Sequence, residues 1–223
     1  TNRGYRARVD TGLVIGAGDY RTTGNVPSGN NVTLNSVSPL NGGTPVGFDN
    51  GNGGQRRAVY FNAINGPVQT IVPGGNAIRS EANGVSANGT VVVGQDYEDL
   101  TNTITQAYRW NTGDAAMTLL GKLAGDTQSW AFAVNDAGVT GGFSWNTNDG
   151  ERAVLWDSTG LWDGSGQAVL LQTLLNNLGT DTSAWTKLSR VTSISNDGTV
   201  VAGWGILTTG EERGFVAIVP EPA

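Results

Sequence analysis

The feature that most constrains the fold of this chain is a short phrase that occurs four times. Each copy has a Gly-bearing turn, a short run of mostly β-branched residues and a closing glycine. The copies are LNGGTPVG, ANGTVVVG, NDAGVTGG and NDGTVVAG, and they close at Gly47, Gly94, Gly142 and Gly203. Successive closing glycines are 47, 48 and 61 residues apart. Self-similarity at this period is typical of repeat architectures.

A second phrase follows each copy of the first. It reads RAVYF, QAYRW, RAVLW and RGFVA, and a fifth copy, RGYRA at Arg3–Ala7, opens the chain. Arginine recurs at one position of this phrase, as Arg3, Arg57, Arg152 and Arg213. We expect these arginines to do the same structural job in each repeat, such as bonding a neighbouring carbonyl or carboxylate. The alternative is that they converge on a bound anion.

The second repeat predicts four short strands, at 82–86, 90–95, 106–110 and 117–120. The dipeptide Asn88-Gly89 between the first two is a strong signal for a two-residue hairpin. Four strands in each radial unit are typical of a β-propeller blade. The predicted fold class is therefore all-β, a β-propeller of four-stranded blades, with four blades favoured over five.

One domain is expected over residues 1–219, followed by a short tail at 220–223. The longest interval between repeats contains QAVLLQTLLNNL, whose leucines are at helical as well as strand spacing. This pattern predicts a short helix near 167–178.

Composition excludes several classes of function. The formal net charge of −6 disfavours binding to nucleic acid, because an acidic surface repels phosphates. The sequence has no histidine, so the commonest general base and zinc ligand are both missing. No stretch approaches the ~18 apolar residues that a membrane span needs. The 34 glycines follow no collagen period and are interpreted as turn residues.

The stretch GKLAGDTQSWAFAVNDAGVTGGFSWNTNDGERAVLW, at 121–156, resembles the HAF family of extracellular repeats. Nine positions match the family pattern in order: Leu123, Gly125, Ser129, Ala131, Ala133, Val134, Asn135, Gly138 and Trp156. The resemblance covers about residue 34 to the C-terminus, and the first repeat departs from it at Pro39 and Pro45. It implies a propeller-like, exported bacterial protein and carries no established chemistry.

The final residues VPEPA resemble the start of a PEP-CTERM sorting tail. That resemblance implies a location outside the cell or at the surface of a Gram-negative bacterium. The alternative is an ordinary stiff C-terminal tail.

Two groups of residues are candidates for binding. Asp96, Glu98 and Asp99 form an acidic stretch whose oxygens suit calcium, although a solvated loop is the simpler interpretation. Apart from calcium, no cofactor is expected. Trp145 and Trp204 follow closing glycines and are candidates for stacking on sugars.

Three functions remain open. The leading one is a non-catalytic exported surface or extracellular-matrix protein that binds cell-surface or matrix polymers, or assembles with itself into oligomers or filaments. The second is a carbohydrate-binding, lectin-like propeller. The third is a glycoside-cleaving enzyme, which needs two carboxylates roughly 5–9.5 Å apart. No catalytic residue can be assigned, and we expect no enzymatic activity.

Overall fold

The structure is a computed structural model, described here for residues 9–10, 13–14, 32–40, 43–50, 55–61, 68–74, 79–99, 101, 103–157 and 167–219. The chain is mostly β, with one short helix. The strands before the helix are β1 (Val9–Asp10), β2 (Leu13–Val14), β3 (Val32–Val37), β4 (Pro45–Asn50), β5 (Arg56–Phe61), β6 (Val68–Thr70), β7 (Arg79–Val85), β8 (Val91–Tyr97), β9 (Thr105–Asn111), β10 (Thr118–Leu119), β11 (Gln128–Val134), β12 (Thr140–Asn146), β13 (Gly150–Trp156) and β14 (Val169–Leu170). The helix α1 (Leu171–Asn177) and the strands β15 (Trp185–Ile194), β16 (Val200–Leu207) and β17 (Glu212–Ile218) follow.

These strands form four consecutive units that match the sequence repeats. Units 1, 2 and 3 are antiparallel meanders of four strands, β3–β6, β7–β10 and β11–β14. Unit 4 has three strands, β15–β17. One parallel pairing, between Gln128 and Thr105, links units 2 and 3 into a larger sheet. The described sheets do not close on themselves into a ring.

The predicted strands of the second repeat and the predicted helix form, but the turn at Asn88-Gly89 is longer than the predicted two-residue hairpin, because the Ser86 N–H donates to the Val91 carbonyl and four residues lie between them. All four strands predicted for unit 2 form there, and α1 lies within the predicted 167–178. The first hairpin of unit 1 also forms, although its sequence departs from the family pattern. Pro45 is the first residue of β4, a strand position where a proline is tolerated. The phrase containing Arg3 lies outside the described residues.

A β-bulge explains the closing glycines. The first strand of every unit has a register shift directly after the residue that pairs with the closing glycine. A Cβ atom on any of the four glycines would lie 1.9 Å from a carbonyl oxygen of that first strand. The four glycines are Gly47, Gly94, Gly142 and Gly203, and the oxygens belong to Thr33, Glu81, Trp130 and Arg190. Each closing glycine is therefore required by the close approach of two backbones.

The turn before each closing glycine also has a repeated design. A side-chain oxygen at the start of the turn accepts a hydrogen bond from the backbone N–H where the next strand begins. In unit 2 the Val91 N–H donates to Ser86 Oγ at 3.0 Å, and in unit 4 the Val200 N–H donates to Ser195 Oγ at 2.9 Å. Asn135 Oδ1 does the same in unit 3, accepting from the Val139 N–H at 2.8 Å. Such turns favour Ser and Asn because their short side chains reach the local backbone.

Successive units pack face to face. We call the face of a unit that carries its closing glycine the leading face, and the opposite face the trailing face. The trailing face of unit 1 packs on the leading face of unit 2, with Val46 and Tyr60 beside Val92 and Tyr108. Two further apolar clusters join unit 2 to unit 3 and unit 3 to unit 4 in the same way. The core is thus divided into layers between sheets, one for each interface.

Candidate functional site

Each interface between units has a polar contact at the same place. The first residues of the third strand in one unit meet the first strand of the next unit. Between units 1 and 2, Arg56 Nη1 donates to Glu81 Oε1 at 2.5 Å. Between units 2 and 3, Trp130 Nε1 donates to Thr105 Oγ1 at 2.9 Å. The packing therefore brings the same two strand positions together at each interface, whereas the contact is an ion pair at one interface and a neutral hydrogen bond at the other.

The third interface carries the ion pair in reversed order. Glu151 of unit 3 accepts two hydrogen bonds from Arg190 of unit 4, one of them from Nε to Oε2 at 3.0 Å. The Arg190 guanidinium also lies over the rings of Phe132 and Phe143, 4.7 and 4.8 Å from their centroids. Stacking on aromatic faces and bidentate bonding to a carboxylate are both favourable for arginine. The ion pair therefore stabilises the interface between units 3 and 4.

Small hydroxyl side chains join the units in a second repeated contact. Ser80 Oγ accepts from the Ala58 N–H at 3.0 Å, and Ser129 Oγ accepts from the Ala107 N–H at 2.9 Å. Both serines are fully buried. Each buried serine thus satisfies a backbone N–H of the preceding unit.

The recurrent arginines pair with separate carboxylates. Arg57 donates from Nε and Nη2 to the two carboxylate oxygens of Asp49, each at 3.1 Å. Arg152 Nη2 donates to Asp126 Oδ1 at 2.5 Å, and the exposed Arg213 pairs with Glu211 at 2.9 Å. These partners lie in units 1, 3 and 4, so the three described arginines do not gather at one anion site. The structural interpretation of the repeat position fits their contacts.

Unit 2 lacks this arginine, and its carboxylate is left buried. Asp96 pairs across strands with Gln106, as Asp49 pairs with Arg57 in unit 1. The Asp96 side chain is buried and neither of its oxygens has a hydrogen-bonding partner that meets normal geometry. Burial, together with the negative charge of Glu98, raises the pKa of Asp96 to about 7.

The other acidic candidates have different surroundings. Asp99 accepts hydrogen bonds from the Thr101 hydroxyl and from the Thr103 hydroxyl and backbone N–H. These bonds lower the pKa of Asp99 to about 2. Glu98 is exposed. Asp96 was expected in a loop, but β8 continues to Tyr97 and places it within the sheet. Within the described part of the chain, no three acidic side chains are arranged to hold a metal ion.

The two candidate tryptophans are both half-buried and lie on trailing faces. Trp145 pairs across strands with Glu151. The Trp204 ring lies 5.9 Å from the Arg190 guanidinium, which bonds Glu151. Both tryptophans therefore adjoin the same ion pair, although they occupy different positions of the repeat. No sequence signal predicted this shared location, because Glu151 and Arg190 belong to different repeats.

No sheet among the described residues packs on the trailing face of unit 4. We call it the open face, and its side chains include Val200, Trp204, Glu212, Val216 and Ile218. Val216 is 75% exposed and Ile218 is 68% exposed. Tyr60 and Leu155, which occupy the position of Val216 in units 1 and 3, are 7% and 0% exposed. A position that is core in earlier units is therefore surface in the last one.

The third strand of unit 4 also has an unpaired side. The strands β5, β9 and β13 each pair with a short fourth strand, whereas β17 pairs only with β16 among the described strands. The open face was not predicted as a site. Aligning the repeats could have found it, since the last repeat lacks a predicted fourth strand.

No protein-family model matches this sequence, and no curated protein matches it. None of the described helical residues forms a helix that is long and apolar enough to cross a membrane.

Proposed function

We propose that this chain is a non-catalytic surface or extracellular-matrix protein that binds other macromolecules or assembles with itself through its stacked β units. The observation that carries the proposal is the open face. Monomeric proteins seldom expose a contiguous apolar patch without using it for interaction. Here the patch repeats surfaces that are covered at three other interfaces of the same molecule.

The arrangement of the units supports a β-propeller of four blades, with five as the alternative. The Asn35 amide donates to the Ala82 carbonyl, and the Asn83 amide donates to the Ala131 carbonyl, both at 2.9 Å. These bonds connect the first strands of units 1, 2 and 3 in series. Such side-by-side first strands suit a radial arrangement around an axis.

Export, membership of the HAF repeats and a PEP-CTERM tail remain proposals that rest on the sequence patterns. Partners outside the chain would be cell-surface or matrix polymers. The predicted absence of catalysis would be contradicted by turnover of a polysaccharide that is lost when one acidic residue is replaced.

Sedimentation velocity of the whole chain over a wide concentration range tests self-assembly. We expect larger species to grow with concentration and the Val216→Lys variant to suppress them. Val37→Lys is the matched control, because Val37 is also an exposed valine on a strand, but in unit 1. Equal effects of the two variants would refute a specific role for the open face.

Carbohydrate binding is the second candidate, favoured by the shared location of Trp145 and Trp204 at the Glu151–Arg190 pair. An aromatic face beside charged hydrogen-bonding groups suits a sugar ring. Polysaccharide titration followed by tryptophan fluorescence should show saturable binding that Trp204→Ala abolishes. An unchanged signal in that variant would exclude Trp204 from the site.

A further inference from the structure

The open face adjoins the unpaired edge of β17, so together they present both apolar side chains and backbone groups. The equivalent edges in units 1 and 2 show what such an edge binds. The Ala58 carbonyl accepts from the Ile71 N–H at 2.9 Å, and the Ala107 carbonyl accepts from the Leu120 N–H at 2.8 Å. Gly214 holds the equivalent position in β17. This edge is therefore shaped to take an additional strand.

We propose that the open face and the edge of β17 bind the N-terminal segment, residues 1–8, of a second copy of the chain. This inference rests on the proposed self-assembly and names its partner. Val216 and Ile218 are exposed, so the face has room for an added segment. The segment TNRGYRAR contains alternating Tyr5, Arg6, Ala7 and Arg8, a pattern that suits one apolar and one charged side in an extended strand.

Charge complementarity favours this segment. Residues 1–8 contain three arginines and no acidic residue, although the whole chain has a net charge of −6. The open face carries Glu212 at the position that Arg56 and Glu151 occupy in units 1 and 3. Those two residues each pair with an opposite charge on the next unit. Glu212 is exposed, and an arginine of the incoming segment supplies the matching charge.

Direct stacking of one copy on another fits less well. It would require the leading face of unit 1 to cover the open face of unit 4. The leading-face residues Val32, Val59 and Phe61 are already buried. A short terminal segment needs no second exposed sheet face, because it binds through its own backbone and side chains.

The test uses the intact chain, the chain without residues 1–8, and two charge-reversal variants, Glu212→Lys and Arg6→Glu/Arg8→Glu. Mass is measured by light scattering across concentration at low and high salt. We expect concentration-dependent association of the intact chain that weakens with salt and is lost in all three variants. An equimolar mixture of the two charge-reversal variants should associate again, since each restores an opposite charge for the other.

The outcomes separate this inference from the proposed function. Association that persists without residues 1–8, or a mixture that stays monomeric, overturns the terminal-segment inference and leaves self-assembly in place. An intact chain that is monomeric at every concentration overturns both. Loss of stability without a change of mass on deletion shows that the segment serves its own chain, which also overturns the inference.

Discussion

Replacing Asp96 by Asn should remove a pH dependence that is built into unit 2. The Asp96 carboxylate is buried, it lacks the arginine that Asp49 has in unit 1, and its pKa is raised from 3.8 to about 7. Glu98 adds negative charge nearby, and the fully buried Tyr108 lies close to the carboxylate. The folded protein therefore holds a proton on Asp96 at pH values where the unfolded chain has released it.

The difference between the folded and unfolded pKa of Asp96 sets the direction and size of the pH dependence of stability. Because the folded pKa lies above the unfolded one, the free energy of unfolding falls as pH rises from about 4 to 7. Below this window both states are protonated, and above it both are ionised, so stability is flat. At ~1.4 kcal/mol per pH unit, the total loss is roughly 4 kcal/mol. Asparagine does not titrate, and the variant should be more stable than the parent above pH 7 by a large part of that amount.

Urea unfolding followed by tryptophan fluorescence, repeated from pH 4 to pH 8, measures the effect. Gln106→Arg is the complementary variant, because it supplies the guanidinium that Arg57 gives to Asp49. It should flatten the same pH dependence while the carboxylate stays. Asp49→Asn is the control, expected to destabilise by leaving Arg57 without its bidentate partner. An Asp96→Asn variant with the same slope as the parent would refute the assignment.

Two further predictions concern the repeat. Gly142→Ala should destabilise by ~2 kcal/mol or more, because its Cβ would lie 1.9 Å from the Trp130 carbonyl oxygen. Gly214→Ala, whose nearest atom is 3.7 Å away, should change the melting temperature little, and equal effects would contradict the bulge explanation. Arg190→Glu should destabilise, and adding Glu151→Arg should recover about 1 kcal/mol or more, because the first interface already uses the reversed order. Thermal unfolding of the two single variants and the double variant gives the coupling energy between the two positions. A coupling energy of zero would show that the ion pair adds no stability beyond that of two hydrated side chains.

Local structure was predictable because the same pattern of turn residues, β-branched residues and glycine occurs four times in the sequence. Turn residues and β-branched runs located the strands of unit 2 to within a few residues, and the leucine pattern located α1. The sequence also marked the closing glycines as equivalent. It did not reveal why glycine is required, since the bulge appears only when the register of the paired strand is known.

The contacts between units were not predictable in the same way. Their partners are 25 and 39 residues apart in the two ion pairs, and the chemistry differs at each interface. Asp96 was missed for a related reason. It lies one residue beyond the predicted end of its strand, and its carboxylate lacks a positive partner because Gln106 stands where other repeats have arginine. A comparison of repeats position by position would have flagged that exception.

The polar contacts between units differ in residue type, yet neighbouring sheets are aligned in the same way at each interface. Apolar faces supply most of the adhesion between units, since burial of hydrophobic area is roughly additive and not directional. The polar contact at the start of each third strand then fixes the alignment of neighbouring sheets, and an ion pair in either order or a neutral hydrogen bond can serve. Unit 4 follows the same plan, and its trailing face presents apolar side chains and one polar residue for which no partner is seen among the described residues. Val216 is one of those apolar side chains and Glu212 is the polar residue, and whatever covers them must bring apolar surface and positive charge together.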